Sequence, residues 1–249
     1  MKKLLLIACC LLSLTALAQD KSEGVVTYEH ATDWVKMNSQ LTFLSKEEKE
    51  RMAQTWKNDE VYKTKMKLAF SPTQSLYTYL SDQGQSEDGT YSWRQDDYII
   101  QRDFEKEKKT EIIEMLGRTY ILEDSLQTPK WKVLNQLKDI AGYVCMKAEA
   151  KDPLKGHKLT AWFSSDILVP AGPEQSYGLP GLIMELDLND GAVVITATKV
   201  EFKDAKKDLA LPAKLKGKKI KNSDYNKLIS EHIRDSMKAH RNPFWAIRY

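Results

Sequence analysis

Between Tyr62 and Phe70 the chain alternates, with Tyr62, Thr64, Met66, Leu68 and Phe70 on one side and Lys63, Lys65 and Lys67 on the other. A period of two over nine residues fits a β-strand with one wet face and one buried face, and no other regular structure. Leu182, Met184, Leu186 and Leu188 alternate with Glu185 and Asp187 in the same way. Asn189-Asp190-Gly191 then gives a turn signal, and Val193 to Phe202 reads as the returning strand of a hairpin. Further strands are predicted over Gly24–Ala31, Leu76–Leu80, Tyr98–Phe104, Glu111–Leu116, Arg118–Leu122, Gly142–Ala150 and Leu159–Ser164. So many short strands joined by short turns define a mainly β (α+β) class, built on a curved antiparallel sheet or half-barrel.

Two helices interrupt the strands. Ser45 and Glu48 form a capping box that opens a charged surface helix over 46–56. A second helix is predicted over 224–239, with Tyr225, Leu228, Ile229, His232, Ile233, Ser236 and Met237 on one face at 3.6-residue spacing. Between the last strand and this helix, residues 199–221 hold nine lysines against three acids. This stretch reads as a solvated linker, with contact to anionic lipid head groups as the sharper alternative.

The first eighteen residues have the layout of an export signal. Lys2 and Lys3 precede an apolar run from Leu4 to Leu14, and Ala16-Leu17-Ala18 supplies the small residues of a cleavage site. The run is too short for a permanent anchor. Leu6-Ile7-Ala8-Cys9 has the shape of a lipoprotein box, but acylation there would leave a needlessly apolar mature end, so cleavage after Ala18 is preferred. The domain assignment is a signal peptide over 1–18 and one β-rich domain over 19–249, located in the periplasm or outer envelope. Of 38 basic and 35 acidic residues the signal removes two lysines. A near-neutral remainder excludes the strongly basic footprint of a nucleic-acid binder. Cys145 is the one cysteine left after cleavage, which rules out an intrachain disulfide.

The most distinctive segment is Tyr177-Gly178-Leu179-Pro180-Gly181-Leu182-Ile183. Pro180 and Gly181 suit the two central positions of a type II turn feeding the Leu182 strand. Pro170, Gly172 and Pro173 stiffen the chain just upstream. A loop held in one shape serves either as a structural corner or as one wall of a binding site, and the sequence leaves both open.

Gly178 to Ile183 reads GLPGLI, and here the chain resembles the GLPGLI family of exported proteins from gram-negative bacteria. Trp131-Lys-Val-Leu, Ile140-Ala-Gly142-Tyr143-Val-Cys145-Met-Lys-Ala148, Ala161-Trp162-Phe163 and Gly172-Pro173 follow in the family's order, after an opening like Gly24-Val-Val-Thr-Tyr28. The likeness covers nearly the whole chain after the signal, and departs where Ala141 stands before Gly142 in place of a charged residue. The resemblance implies an envelope location, a β-rich domain and no established activity. The motif order is also similar, more loosely, to half-barrel lipoprotein carriers that cradle acyl chains.

No G-x-S-x-G elbow, H-E-x-x-H helix, P-loop or C-x-x-C is present. Cys145 and His157 sit on a predicted hairpin with about 20 Å of strand between them, which excludes a thiol–imidazole pair. His30, His157, His232 and His240 have no zinc-like spacing, and His232 reads as a hydrogen-bonded packing residue. Trp93, Trp131, Trp162, Tyr77, Tyr79, Tyr91, Tyr98 and Tyr143 either fill the core or line a concave apolar pocket. The expectation is a non-enzymatic binding or carrier protein without a cofactor, holding an apolar or amphiphilic ligand beside Trp162, Tyr177, Gly178, Leu179, Pro180, Gly181, Leu182 and Ile183. Two alternatives stand beside it. One is an accessory role toward another envelope protein, through the lysine-rich stretch or through the tail Phe244-Trp245-Ala246-Ile247, an exposed apolar end that needs cover; the other is a soft-metal site using Cys145, methionines and His30. Membrane contact is expected to be peripheral at most.

Overall fold

A computed structural model describes residues 21–56, 61–86 and 89–249; the export signal over 1–18 lies outside them. The strands are β1 (Gly24–Thr32), β2 (Tyr62–Phe70), β3 (Gln74–Tyr79), β4 (Gln83–Gln85), β5 (Ser92–Arg94), β6 (Tyr98–Asp103) and β7 (Lys108–Met115). They continue as β8 (Arg118–Ser125), β9 (Lys132–Ile140), β10 (Tyr143–Lys151), β11 (Lys158–Ser164), β12 (Leu182–Leu188), β13 (Val193–Phe202) and β14 (Lys218–Lys219). Among the described residues three α-helices accompany them, α1 (Trp34–Ser39), α2 (Lys46–Thr55) and α3 (Asn222–Lys238), with a short 3-10 turn at Pro243–Trp245. Twelve strands form one sheet in the order β14-β8-β7-β6-β3-β2-β1-β13-β12-β11-β10-β9, and β4 and β5 pair in a separate hairpin. The sheet is open and curved. Every pairing in it is antiparallel except that of β14 with β8.

Consecutive residues of β1 separate the two faces. Val26 and Tyr28 join the main core with Met66, Leu68 and Phe70 of β2, whereas Val25 packs outward with Ala69, Leu76, Ala205 and Leu209. The lysine-rich stretch is therefore more than a solvated linker. Ala205 is fully buried on the outer face, and Lys67 Nζ donates to Asp208 Oδ1 at 3.1 Å. The expected wet face of β12 also needs correction. Ile183 is fully buried and Glu185 nearly so, because Lys138 Nζ covers the Glu185 carboxylate at 2.7 and 2.9 Å and Thr196 donates to it at 3.1 Å.

The capping box at Ser45 and Glu48 forms in both directions at the start of α2. α3 buries Ile229 and packs Tyr225, Leu228 and Ile233 against the core. His232 Nε2 meets the Pro243 carbonyl at 3.0 Å, the packing role expected of it. The Asn189–Gly191 hairpin also forms, with positive φ at all three residues and the Asp187 carboxylate accepting from Gly191 N–H at 2.6 Å. At the sheet's far edge, the ladder between β9 and β10 slips register at Met146/Lys147. That irregularity, with Lys132 and Lys138, blunts an otherwise pairable edge. No helix among the described residues is long and apolar enough to cross a membrane.

Candidate functional site

Two segments fold across the inner face of the sheet and define what it can hold. One is the loop from Ile167 to Gly181; the other is the C-terminal tail from Pro243 to Tyr249.

The loop is a packed corner. Ile167, Val169, Ala171 and Leu179 join the main core. Leu182 N–H donates to Ile167 O and Ile183 N–H to Ala171 O, both at 3.0 Å, so the loop's own backbone takes the place of a strand partner. The expected type II turn does not form. Gly181 N–H instead donates to Leu179 O at 2.8 Å, closing a three-residue turn centred on Pro180, and Gly181 adopts φ +153°. The Leu182 N–H that would have closed the wider turn is committed to Ile167. Both glycines of the motif are needed for close approach. A Cβ at Gly178 would stand 2.2 Å from Thr128 Cγ2, and one at Gly181 2.2 Å from the Ser164 carbonyl oxygen.

The eight residues singled out from sequence are therefore placed as follows. Tyr177, Leu179, Gly181, Leu182 and Ile183 are buried, Gly178 and Pro180 sit at the surface of the corner, and Trp162 is half-buried under Lys138 Nζ, 5.6 Å from its ring centroid. Trp131 Nε1 donates to Tyr177 O at 2.9 Å, and Tyr28 OH donates to Ile183 O at 2.6 Å. These contacts fix the corner to β1 and to the chain just before β9. None of the eight lines the cleft described next.

That cleft encloses 470 Å³ between the tail and the inner face of β1, β2, β3, β6 and β7. Its walls include Trp34, Met37, Tyr62, Thr64, Ile113, Met115, Phe244, Trp245 and Ile247, and its floor holds His30, Tyr79, Tyr98 and Arg248. The tail is not a free apolar end, as sequence suggested. Pro243, Ile247 and Tyr249 are buried, while Trp245, at 67%, and Ala246 are exposed.

Glu174 explains how the tail is held. It comes from the rigid loop, just after Pro173, and is buried with φ +52°. Arg102 Nη2 donates to its main-chain carbonyl and Arg102 Nη1 to Gly172 O at 3.3 Å, while that guanidinium stacks 4.9 Å from the Tyr177 ring centroid. The Glu174 carboxylate grips Arg248 of the tail, with Nη2 to Oε1 at 2.7 Å and Nε to Oε1 at 3.0 Å. Tyr98 OH donates to the other carboxylate oxygen, Arg248 Nη1 donates to Tyr79 OH at 3.2 Å, and the Arg248 guanidinium lies 4.2 Å from the Tyr98 ring centroid. Burial alone would raise the Glu174 pKa, but Arg248, His30 and Tyr98 outweigh it and hold the carboxyl at about 2. Burial likewise opposes charge on Arg248, and Glu174 outweighs that too. The pair is ionised and internally neutral.

His30 completes the floor, its Nε2 3.9 Å from Glu174 Oε1. Burial and the adjacent Arg248 push its pKa down to about 4, so the ring is neutral at pH 7. A second clamp holds the end of the tail. Lys155 Nζ donates to the main-chain oxygens of Arg248 at 2.8 Å and Tyr249 at 3.0 Å, and His157 stacks on the Tyr249 ring with centroids 4.0 Å apart. Burial also lowers His157, to about 4. Cys145 is fully buried with its thiol pushed up to about 12, chiefly by burial, and so is no nucleophile at neutral pH. Among the described residues no three His, Cys, Asp or Glu side chains are grouped to hold a metal ion.

Sequence reasoning missed Glu174, Arg248, Lys155 and Thr64. The available signal was a single acid between Pro173 and Tyr177, in a loop otherwise apolar enough to be buried, which demands a buried cation elsewhere.

Comparison with known proteins agrees with this architecture. A family profile described as "Protein of unknown function (Porph_ging)" matches residues 152–185, from the turn after β10 through the corner. No curated protein matches. Two solved structures of PNGF-II, in C2 and P21 crystal forms, are similar over 83% of this chain, with TM-scores of 0.54 and 0.56 at 12% identity. The likeness covers 32% and 33% of those chains, so this protein spans about a third of their length, and it is a likeness of fold alone.

Proposed function

We propose that this chain is an exported binding protein of the bacterial envelope, and that it holds an amphiphilic small molecule in the cleft beneath its C-terminal tail. One observation carries the reading. Aromatic and apolar side chains line much of the cleft, and the one arginine on its floor, half-buried Arg248, is already matched by the buried Glu174 carboxylate. A volume of 470 Å³ falls in the range that takes a small organic ligand, about 300–1,000 Å³. Apolar contact would supply affinity, and the few polar groups would orient the guest. We read the Gly178–Ile183 segment as the mark of the GLPGLI family, acting in this protein as the corner that presents Glu174. The export signal over 1–18 and the missing catalytic motifs support a carrier over an enzyme.

The test is a fluorescence titration of the mature chain with N-phenyl-1-naphthylamine, a neutral apolar probe. Saturable one-to-one enhancement that disappears in Thr64→Trp, with an unchanged melting temperature, supports the cleft as the site. No enhancement in the wild type, or undiminished enhancement in the filled variant, removes it.

A further inference from the structure

The cleft contains an unmatched negative charge and aromatic rings with no cation against them, and together they specify a ligand. Asp96, on the short link between β5 and β6, lines the cleft and is exposed. Among the described residues none hydrogen-bonds or ion-pairs with its carboxylate; Arg94 and Arg248 act on it only at longer range. The neighbouring charges are spoken for. Arg94 Nη2 donates to Glu114 Oε2 at 2.6 Å and its Nη1 to Asp97 Oδ1 at 3.3 Å, while Arg248 belongs to Glu174. With Lys155 beneath the tail, three cations (Arg94, Lys155 and Arg248) against four side-chain carboxylates (Asp96, Asp97, Glu114 and Glu174) leave the cleft and its surroundings net negative, and His30 adds nothing at pH 7 because it is neutral.

The aromatic side chains divide in the same manner. Tyr79 and Tyr98 already face the chain's own cation, Arg248. Trp34, Tyr62 and Trp245 line the same cleft, and no cation or ring of the described residues lies against them. Indole and phenol rings that share a cleft with an unpaired carboxylate are what a cationic guest with an apolar body requires, since ring quadrupoles attract cations even at exposed sites.

Resting on the cleft reading above, we infer that the ligand is an organic cation, an amine or quaternary ammonium carrying an apolar or aromatic body, whose charge meets Asp96 while its body lies against Trp34, Tyr62 and Trp245. An anionic amphiphile of equal size meets the same walls with the wrong sign.

The experiment is isothermal titration with three probes sharing one ring system: 1-naphthylmethylamine, 1-naphthalenemethanol and 1-naphthoate. The amine is expected to bind about tenfold more tightly than the alcohol, with the carboxylate weakest. Asp96→Asn brings the amine to the alcohol's affinity and leaves the alcohol unchanged, and 0.5 M salt, which screens exposed charge, does the same. An amine no tighter than the alcohol, or one indifferent to Asp96→Asn, overturns the cation assignment while the bound alcohol still upholds the cleft. If none of the three binds and N-phenyl-1-naphthylamine does not bind either, the cleft reading falls and takes this inference with it.

Discussion

Replacing Glu174 by alanine removes the only carboxylate among the described residues that contacts Arg248 and leaves a largely buried guanidinium unpaired. In the native chain that guanidinium has Glu174 at 2.7 and 3.0 Å and the Tyr98 ring beneath it. Breaking one side of a buried pair costs about 3–5 kcal/mol, because the remaining charge is desolvated without compensation. An independent route gives a similar size. A carboxyl held at about 2 instead of its ordinary 4.5 corresponds to about 3 kcal/mol of interaction with the ionised form. A domain of this kind has about 5–15 kcal/mol to lose, so Glu174→Ala should fold but melt early. Urea denaturation followed by tryptophan fluorescence would show the midpoint falling with the slope unchanged. The double variant Glu174→Leu/Arg248→Met removes both charges and should be more stable than the two single losses combined. A Glu174→Ala protein within about 1 kcal/mol of wild type, or a double variant equal to that combination, would refute the claim that the tail is held by a buried ion pair.

Acid should loosen the tail before it unfolds the rest. His30 and His157 have folded pKa values lowered to about 4, so between pH 6.5 and 4 the unfolded chain binds protons that the folded chain refuses. Stability is therefore full above pH 6.5 and falls as pH drops, by up to about 2.5 kcal/mol per pH unit near pH 5 when both act; His30→Asn with His157→Phe should flatten a plot of melting temperature over that window. Glu174, depressed to about 2, adds its own loss only between about pH 4.5 and 2. Gly181→Ala, facing the immovable Ser164 carbonyl at φ +153°, should cost about 3 kcal/mol or more in a thermal melt. Gly142→Ala, with open space around it at φ +81°, should cost only about 1 kcal/mol. The Cys145 thiol should resist a thiol-specific disulfide reagent in the folded protein and react stoichiometrically in urea.

The scaffold was legible because a sheet with an apolar inner face writes itself as alternation. β2, β12, β13 and the Asn189–Gly191 hairpin follow from period and turn chemistry, and α2 from its capping box. β9 was not legible, since Lys132–Ile140 is an edge strand exposed along nearly its whole length and carries no burial pattern to read. The Gly178–Ile183 segment was visible as a rigid loop, but its role depends on Thr128, Ser164 and Ile167, which only the fold brings against it. The candidate site was hidden for the same reason. Glu174 and Arg248 are 74 residues apart, and neither has a local partner that spacing could disclose. Tail residues that look like an exposed apolar end prove to be one wall of a cleft. Their covering surface is the chain's own sheet.

The most direct test is an amide NMR titration of the mature chain with N-phenyl-1-naphthylamine. Shift changes confined to the cleft, at His30, Thr64, Tyr79, Ile113 to Gly117 and Phe244 to Tyr249, would place the guest beneath the tail. Changes centred instead on Tyr177 to Ile183, with the cleft silent, would contradict that placement and return the ligand to the GLPGLI corner.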